Sequence, residues 1–222
     1  MGVRTIKERN KRQIEAFDAA QRILDLLEKA GYYIWDPEEI ICNADYLPIE
    51  LNCNWGASRV TIWDNHRDYV IKVAREPEYE KYNAREAEIC SDAFWEGLED
   101  MFAWCTYYIE PEDEYSSGVL VMEFLEGDED EIAEQAYSYG LSNYRSNNNI
   151  TKLTSDDIEE YQSEINDEEE ILEFVAAGLD DKKTCRFWDF LSRKYINDIH
   201  SGNVLFNANG AAVICGYAGW GW

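Results

Sequence analysis

Residues 195–222 read YINDIHSGNVLFNANGAAVICGYAGWGW. Asp198 is followed five residues later by Asn203 and then by an apolar run, Val204-Leu205-Phe206. Residues 207–210, Asn-Ala-Asn-Gly, read as a turn, with Asn-Gly as the strong signal, and a second apolar run follows at 211–215. The physical reading is a polar loop that enters a tight β-hairpin.

Upstream, residues 51–73 read as strand, loop, strand, turn, strand. Small residues, Gly56, Ala57 and Ser58, occupy the first loop, where backbone N–H groups would have room to approach a phosphate. Asp64–Asp68 forms the next turn, with His66 as one of its turn residues. Lys72 then interrupts an otherwise apolar strand, Tyr69-Val70-Ile71-Lys72-Val73. It lies either on a wet face or at a site. A helix is expected over 80–98, with Ala84, Ala87, Ile89 and Ala93 inward. Its Glu86 and Glu88 stand roughly 200° apart around the axis, so only one can face a given partner. Strands are expected at 102–109 and 119–125, joined by an acidic loop.

Before all of this, residues 5–30 show helical periodicity through Ile14, Phe17, Leu24 and Leu27, with Ile23 and Ala30 beside them and Gly31 following. Lys7, Arg9, Lys11 and Arg12 cluster at the start of that helix. They read as a solvated end, or as a basic patch that touches acidic parts of the chain or of a second copy. Later, 142–151 is rich in Asn and Ser and reads as a mobile loop. Helices are expected at 155–165, with Ser155 as N-cap, at 168–177 and at 184–195.

The 222 residues suit one large domain or two small lobes and can bury a core. A hydrophobic fraction of 45%, with eight Trp and fifteen Tyr, argues for packing and against disorder. The 20 basic and 46 acidic residues give a net charge of −26, which disfavours nucleic acid and anionic membranes and favours a basic protein partner. Segment 110–181 carries 23 acidic residues against Arg145 and Lys152, and holds most of that charge. Its carboxylates read as solvated helix faces, because no D-x-D-x-D-G loop is present. Six cysteines without a C-x-x-C pair, and a basic start that runs into an amphipathic helix, lead to the expectation of reduced thiols in a cytoplasmic protein. No apolar run approaches the length of a membrane span.

The Asp-x-His-x-Gly-Asn string at 198–203, with Lys72 and Glu86 in the right order before it, resembles the protein-kinase-like superfamily. It is most similar to the short kinase-like proteins of bacteria and their phages, including the early protein kinases of lytic phages. The resemblance covers about residues 50–222, strongest at 69–73, 119–127 and 195–219. It implies an α+β, minimal two-lobed fold: an N-lobe antiparallel sheet with one helix, and a reduced, mainly helical C-lobe ending just after the Asp-Phe-Gly-equivalent position. A single domain over 1–222 is expected, with a helical extension at 1–50, the N-lobe at 51–126 and the C-lobe at 127–222. Transferred residue by residue, Lys72 would bind phosphate, and Glu86, favoured over Glu88, would orient it. Asp198 would position the acceptor hydroxyl and Asn203 would hold a metal ion. His200 would keep the loop in shape. The 56–58 loop would cover ATP, and the backbone near Glu123, Phe124 and Leu125 would meet the adenine edge.

The implied activity is ATP-dependent phosphoryl transfer to a protein hydroxyl, with magnesium. A pseudokinase, an acidic module for basic proteins, and a small-molecule kinase are the alternatives. The sequence departs from the pattern at Gly216, thirteen residues after Asn203, where the resemblance calls for a metal-binding aspartate. It also implies no activation segment, since six residues follow. Oligomeric state has no sequence signal.

Overall fold

The first helix owes its place to small residues. In the computed structural model, which describes residues 6–113, 116–164, 166–197 and 199–216, α1 spans Ile6–Lys29. Ala16, Ala19, Ala20, Ile23 and Leu27 form its buried stripe, at the three- and four-residue spacing of one helix face. The expected stripe through Ile14 is therefore rotated, and Ile14 is 62% exposed. Three alanines let the helix axis approach a sheet more closely than Ile14 and Leu24 would allow.

A short helix, α2 (Pro37–Cys42), leads to β1 (Leu51–Trp55), β2 (Arg59–Asp64) and β3 (Tyr69–Ala74). Helix α3 (Glu80–Glu96) follows, then β4 (Cys105–Ile109) and β5 (Val119–Glu123). The five strands form one antiparallel sheet in the order β1-β2-β3-β5-β4. This is the α+β arrangement that the sequence implies, with one helix between the third and fourth strands.

Register sorts the sheet into two faces. Ile62 pairs with Ile71, which pairs with Val121, so these three share a face with Val60, Asp64 and Glu123. Thr61 pairs with Lys72 and Lys72 with Leu120, so these belong to the opposite face. Helix α1 covers the first face. Arg22 pairs with the buried Asp64 at 2.7 Å, Arg12 pairs with Glu123, and Phe17 meets Tyr108 edge-on at 5.2 Å. Arg12 also lies 5.0 Å over the Trp104 ring. At Arg12, then, the basic start of α1 is not simply solvated, because it holds an acid of its own chain. Helix α3 lies on the Lys72 face.

The chain divides into two compact units, the first reaching Glu99 and resuming at Ala103–Phe124, the second taking Asp100–Phe102 and residues from Leu125 onward. The second unit contains α4 (Glu129–Asn147), α5 (Ser155–Glu164), α6 (Asp167–Val175), α7 (Asp181–Arg193), and a hairpin of β6 (Val204–Phe206) and β7 (Ala212–Ile214). Much of the acidic charge is used at helix starts, where it meets the positive end of the helix dipole. Asp128, Asn166 and Asp180 cap α4, α6 and α7; acids fill the first turns of α4 and α6, and Asp181 opens α7.

The structure departs from the sequence pattern at two helix ends. Helix α4 continues to Asn147, so the segment expected to be a loop at 142–151 is helical over its first half. Arg145 secures its end by donating to the carbonyls of Ile150 and Thr151. Thr154, rather than Ser155, caps α5. Its hydroxyl accepts from the Asp157 N–H at 3.3 Å while its own N–H donates to the Asp157 carboxylate at 2.7 Å, a reciprocal pair that Ser155 is one residue too late to make.

The apolar centre of the second unit brings Phe102 against Phe187 and Phe190, with ring centroids 6.1 and 5.4 Å away. The Ile214 N–H donates to the Met101 carbonyl, which explains why residues 100–102 belong with the hairpin although they precede β4. No helix among the described residues is long and apolar enough to cross a membrane.

Candidate active site

Lys72 projects from β3 toward α3. Its Nζ lies 3.1 Å from Oε2 of Glu86, whose side chain is fully buried. Glu88 instead points away, is exposed, and pairs with Arg85 at 3.2 Å on its own helix. The inward face of α3 carries buried polar residues at a three-residue spacing, Glu80, Asn83 and Glu86. Glu80 accepts from the Tyr107 hydroxyl at 2.6 Å and the Gly118 N–H at 3.1 Å, so it is satisfied by structure alone. Glu86 is satisfied by cations.

The second cation is Arg59, at the start of β2, with Nη1 2.8 Å from Oε1 of Glu86. At that distance Arg59 acts on Glu86 through its charge first and through hydrogen bonding second. Burial alone would raise the Glu86 carboxyl; Arg59, and then Lys72, outweigh that and hold it below the usual carboxylate range. Two cations share the one Glu86 carboxylate, so at that point one positive charge is left over by Glu86, the sign a phosphate needs. Sequence reasoning missed Arg59. The signal was present in the hairpin register, because Arg59 has the parity of Thr61, which pairs with Lys72.

The other residues expected in the first unit are less free than the sequence suggests. The Gly56 N–H donates to the Arg59 carbonyl at 3.0 Å, closing the β1–β2 hairpin, and the Gly56 carbonyl accepts from Arg75. Ala57 and Ser58 form the tip. At the connector, the Glu123 N–H is taken by the Trp104 carbonyl and the Phe124 N–H by that of Asp68, both at 3.0 Å. The Glu123 carboxylate faces α1 rather than the Lys72 face, because it pairs with Arg12 and accepts from the Trp104 N–H. Phe124 packs against Trp63 with centroids 6.0 Å apart. Trp63 lies on the Lys72 face, and its buried indole N–H has no protein acceptor among the described residues.

In the second unit, α7 ends at Arg193, the chain turns through Tyr195 at φ 49°, and Ile196 and Ile199 are buried. Asp198, between them in sequence, lies outside the described residues. His200 organises the turn that leads into β6. Its Nδ1 accepts from the Gly202 N–H at 3.1 Å, its Nε2 lies 3.0 Å from the Asn203 side-chain amide, and its carbonyl accepts from the Asn203 N–H at 2.9 Å. The Cys215 N–H donates to the Asn203 carbonyl at 2.7 Å, placing Gly216 beside the Asn203 side chain.

Gly216 has φ 68°. Among the described residues no three His, Cys, Asp or Glu side chains gather where a metal ion could be held. With glycine at 216 and Asn203 supplying a neutral amide, the described residues do not by themselves assemble the magnesium site that the resemblance implies.

No protein-family model and no curated protein sequence matches this chain. Solved structures resemble it distantly. The GDP and kanamycin complex of APH(2")-IIia is 12% identical, with a TM-score of 0.40 over 82% of this chain and 71% of the other. An aminoglycoside phosphotransferase from Alicyclobacillus acidocaldarius is 12% identical, with a TM-score of 0.33 over 82% and 65%. The choline kinase LicA from Streptococcus pneumoniae is 11% identical, with a TM-score of 0.34 over 82% and 68%.

Proposed function

We propose that this chain binds ATP through Lys72 and transfers its terminal phosphoryl group to a hydroxyl acceptor, as a reduced relative of the protein-kinase-like proteins it resembles. The observation that carries the reading is the buried pair of Lys72 and Glu86 at 3.1 Å. A lysine held by a buried glutamate on the neighbouring helix keeps its ammonium extended and oriented, which a solvated strand lysine would not require. Arg59 adds a second positive charge to the same face. The Asp198–Asn203 block supplies the acceptor-side chemistry by resemblance, with Asp198 orienting the hydroxyl and His200 bracing Asn203. With Glu123 and Phe124 already hydrogen-bonded, Leu125 is the connector residue whose N–H would meet the adenine edge.

The acceptor proposed is a protein hydroxyl on a basic partner, matched to the acidic 110–181 segment. A hydroxyl on a small cationic molecule uses the same residues. Gly216 favours a second reading, in which nucleotide is held without transfer, because a glycine supplies no charge to neutralise the transferring group.

Thermal unfolding with and without ATP, each with and without Mg²⁺, together with transfer of labelled phosphate to a basic protein, separates the readings. Stabilisation by ATP that is lost in Lys72→Met, with label transferred, supports the first. Stabilisation with no label in any acceptor supports the second. No stabilisation by ATP in the wild-type chain overturns both.

A further inference from the structure

We propose that Cys90 and Cys105 form an oxidisable dithiol site, which a hydroperoxide closes to a cystine that ties α3 to β4. Of the six cysteines, Cys42 and Cys185 are exposed and lie in separate helices, whereas Cys90 and Cys105 meet in the interior of the first unit. The Cys105 N–H donates to Cys90 Sγ at 3.2 Å, which brings the two residues together across α3 and β4, with the Cys105 thiol as donor toward the Cys90 sulfur. Both residues are buried, at 8% and 5% relative exposure, so only an oxidant as small as hydrogen peroxide suits the pair.

The surroundings assign the two sulfurs different roles. The Cys90 thiol is held below its ordinary value, first by the hydrogen bond from the Cys105 thiol; burial opposes this, while the Cys105 N–H, Arg12 and Arg9 favour the thiolate. Burial pushes the Cys105 thiol well up, and the neighbouring Cys90 sulfur adds to that. The backbone N–H that Cys105 donates to Cys90 Sγ stabilises a thiolate at Cys90, so Cys90 is the attacking sulfur and Cys105 the resolving one. The Cys90 thiolate attacks the O–O bond of the hydroperoxide, giving a sulfenic acid and, after protonation, an alcohol or water. The Cys105 thiol then attacks that sulfur, the S–O bond breaks, and water leaves with the thiol proton. Two thiols lose two electrons and one hydroperoxide gains them.

Cys90 follows Glu86 by four residues and lies one turn along the same helix face, so the cystine anchors the helix that holds Lys72. Any effect on nucleotide binding rests on the function proposed above; formation of the cross-link does not.

The test treats the folded full-length chain with limiting hydrogen peroxide, blocks remaining thiols, and maps peptides by non-reducing mass spectrometry. The expected result is a Cys90–Cys105 linked peptide pair that dithiothreitol separates. The apparent Tm should rise by roughly 5 °C in the oxidised form. In Cys105→Ser the reaction should stop at Cys90 sulfenic acid, captured by dimedone, which wild type should not accumulate. The proposal is overturned if wild-type chain with an unchanged circular dichroism spectrum keeps both thiols, carries them to sulfinic acids, or cross-links only through Cys42 and Cys185. Equal dimedone labelling of wild type and variant overturns it as well.

Discussion

The Cβ that any other residue would carry at position 216 falls 2.8 Å from Oδ1 of Asn203, closer than real Cβ contacts come. The backbone there has φ 68°, so a side chain meets both backbone strain and a crowded amide. Restoring the aspartate that the kinase-like pattern calls for is therefore not a neutral change. Gly216→Ala should cost about 1–3 kcal/mol in urea unfolding. Gly216→Asp should not yield a simple gain in phosphoryl transfer. Combining Gly216→Ala with Asn203→Ala should recover part of the loss, because the two positions share one space; strict additivity would show that the crowding is relieved elsewhere.

Glu86 neutralises two cations, so removing it and removing either cation are unequal injuries. Glu86→Ala leaves Arg59 and Lys72 facing each other in the interior and should cost about 3–5 kcal/mol of unfolding free energy. Lys72→Met should cost clearly less, since Arg59 still pairs with the carboxylate. Equal losses in the two variants would remove Arg59 from the account.

Acid should act on Glu86 and Glu170 with opposite signs. Arg59 and Lys72 overcome burial at Glu86 and lower its pKa in the folded state, so its contribution is present above the unfolded value and lost as pH falls through the lowered one. At Glu170, burial raises the pKa despite the Tyr161 hydroxyl bound to the carboxylate. Its contribution is full below the unfolded value and is lost as pH rises through the raised one. The stability difference between wild type and Glu86→Gln should therefore shrink below the ordinary carboxylate range. Relative to Glu170→Gln, wild type should gain stability as pH falls into that range. Unfolding midpoints measured across acid pH check both.

Gly140 should tolerate no side chain. A Cβ there would overlap the Tyr161 hydroxyl and lie 2.9 Å from Oε1 of Glu170. Tyr161 and Glu170 are both buried, and they join α5 and α6 to α4 at this point. Gly140→Ala should lower stability by about 1–3 kcal/mol, and Tyr161→Phe, which removes the obstructing hydroxyl, should soften that loss. Hydrogen exchange localised to α4–α6 would report the same effect.

The sheet was legible because its strands alternate and its turns carry Asp, Asn and Gly, so Arg59–Asp64, Tyr69–Ala74 and Val119–Glu123 fall close to the expected ranges. The local Arg-Glu-Ala-Glu pattern at 85–88 favours Glu86 over Glu88, but its pairing with Lys72 comes from the packing of α3. Arg59 went unnoticed because a basic residue at a strand edge reads as solvated until the register places it. The stripe of α1 was misread for a related reason: periodicity counts Ile14 as apolar but cannot weigh it against three alanines that allow closer approach to the sheet.

From sequence alone, this chain's local chemistry was determined: where strands alternate, where Asn-Gly turns the hairpin after Asn203, where acids open the helices, and that glycine stands at 216. These properties depend on neighbours a few residues away, within reach of backbone geometry and capping. Tertiary structure alone decided which charges meet. That Glu86 serves both Arg59 and Lys72, that Glu123 turns to Arg12, that Cys90 lies against Cys105, and that Gly216 crowds Asn203 all depend on segments 13 to 111 residues apart. Burial and register bring such segments together, and no local pattern encodes the distance between them.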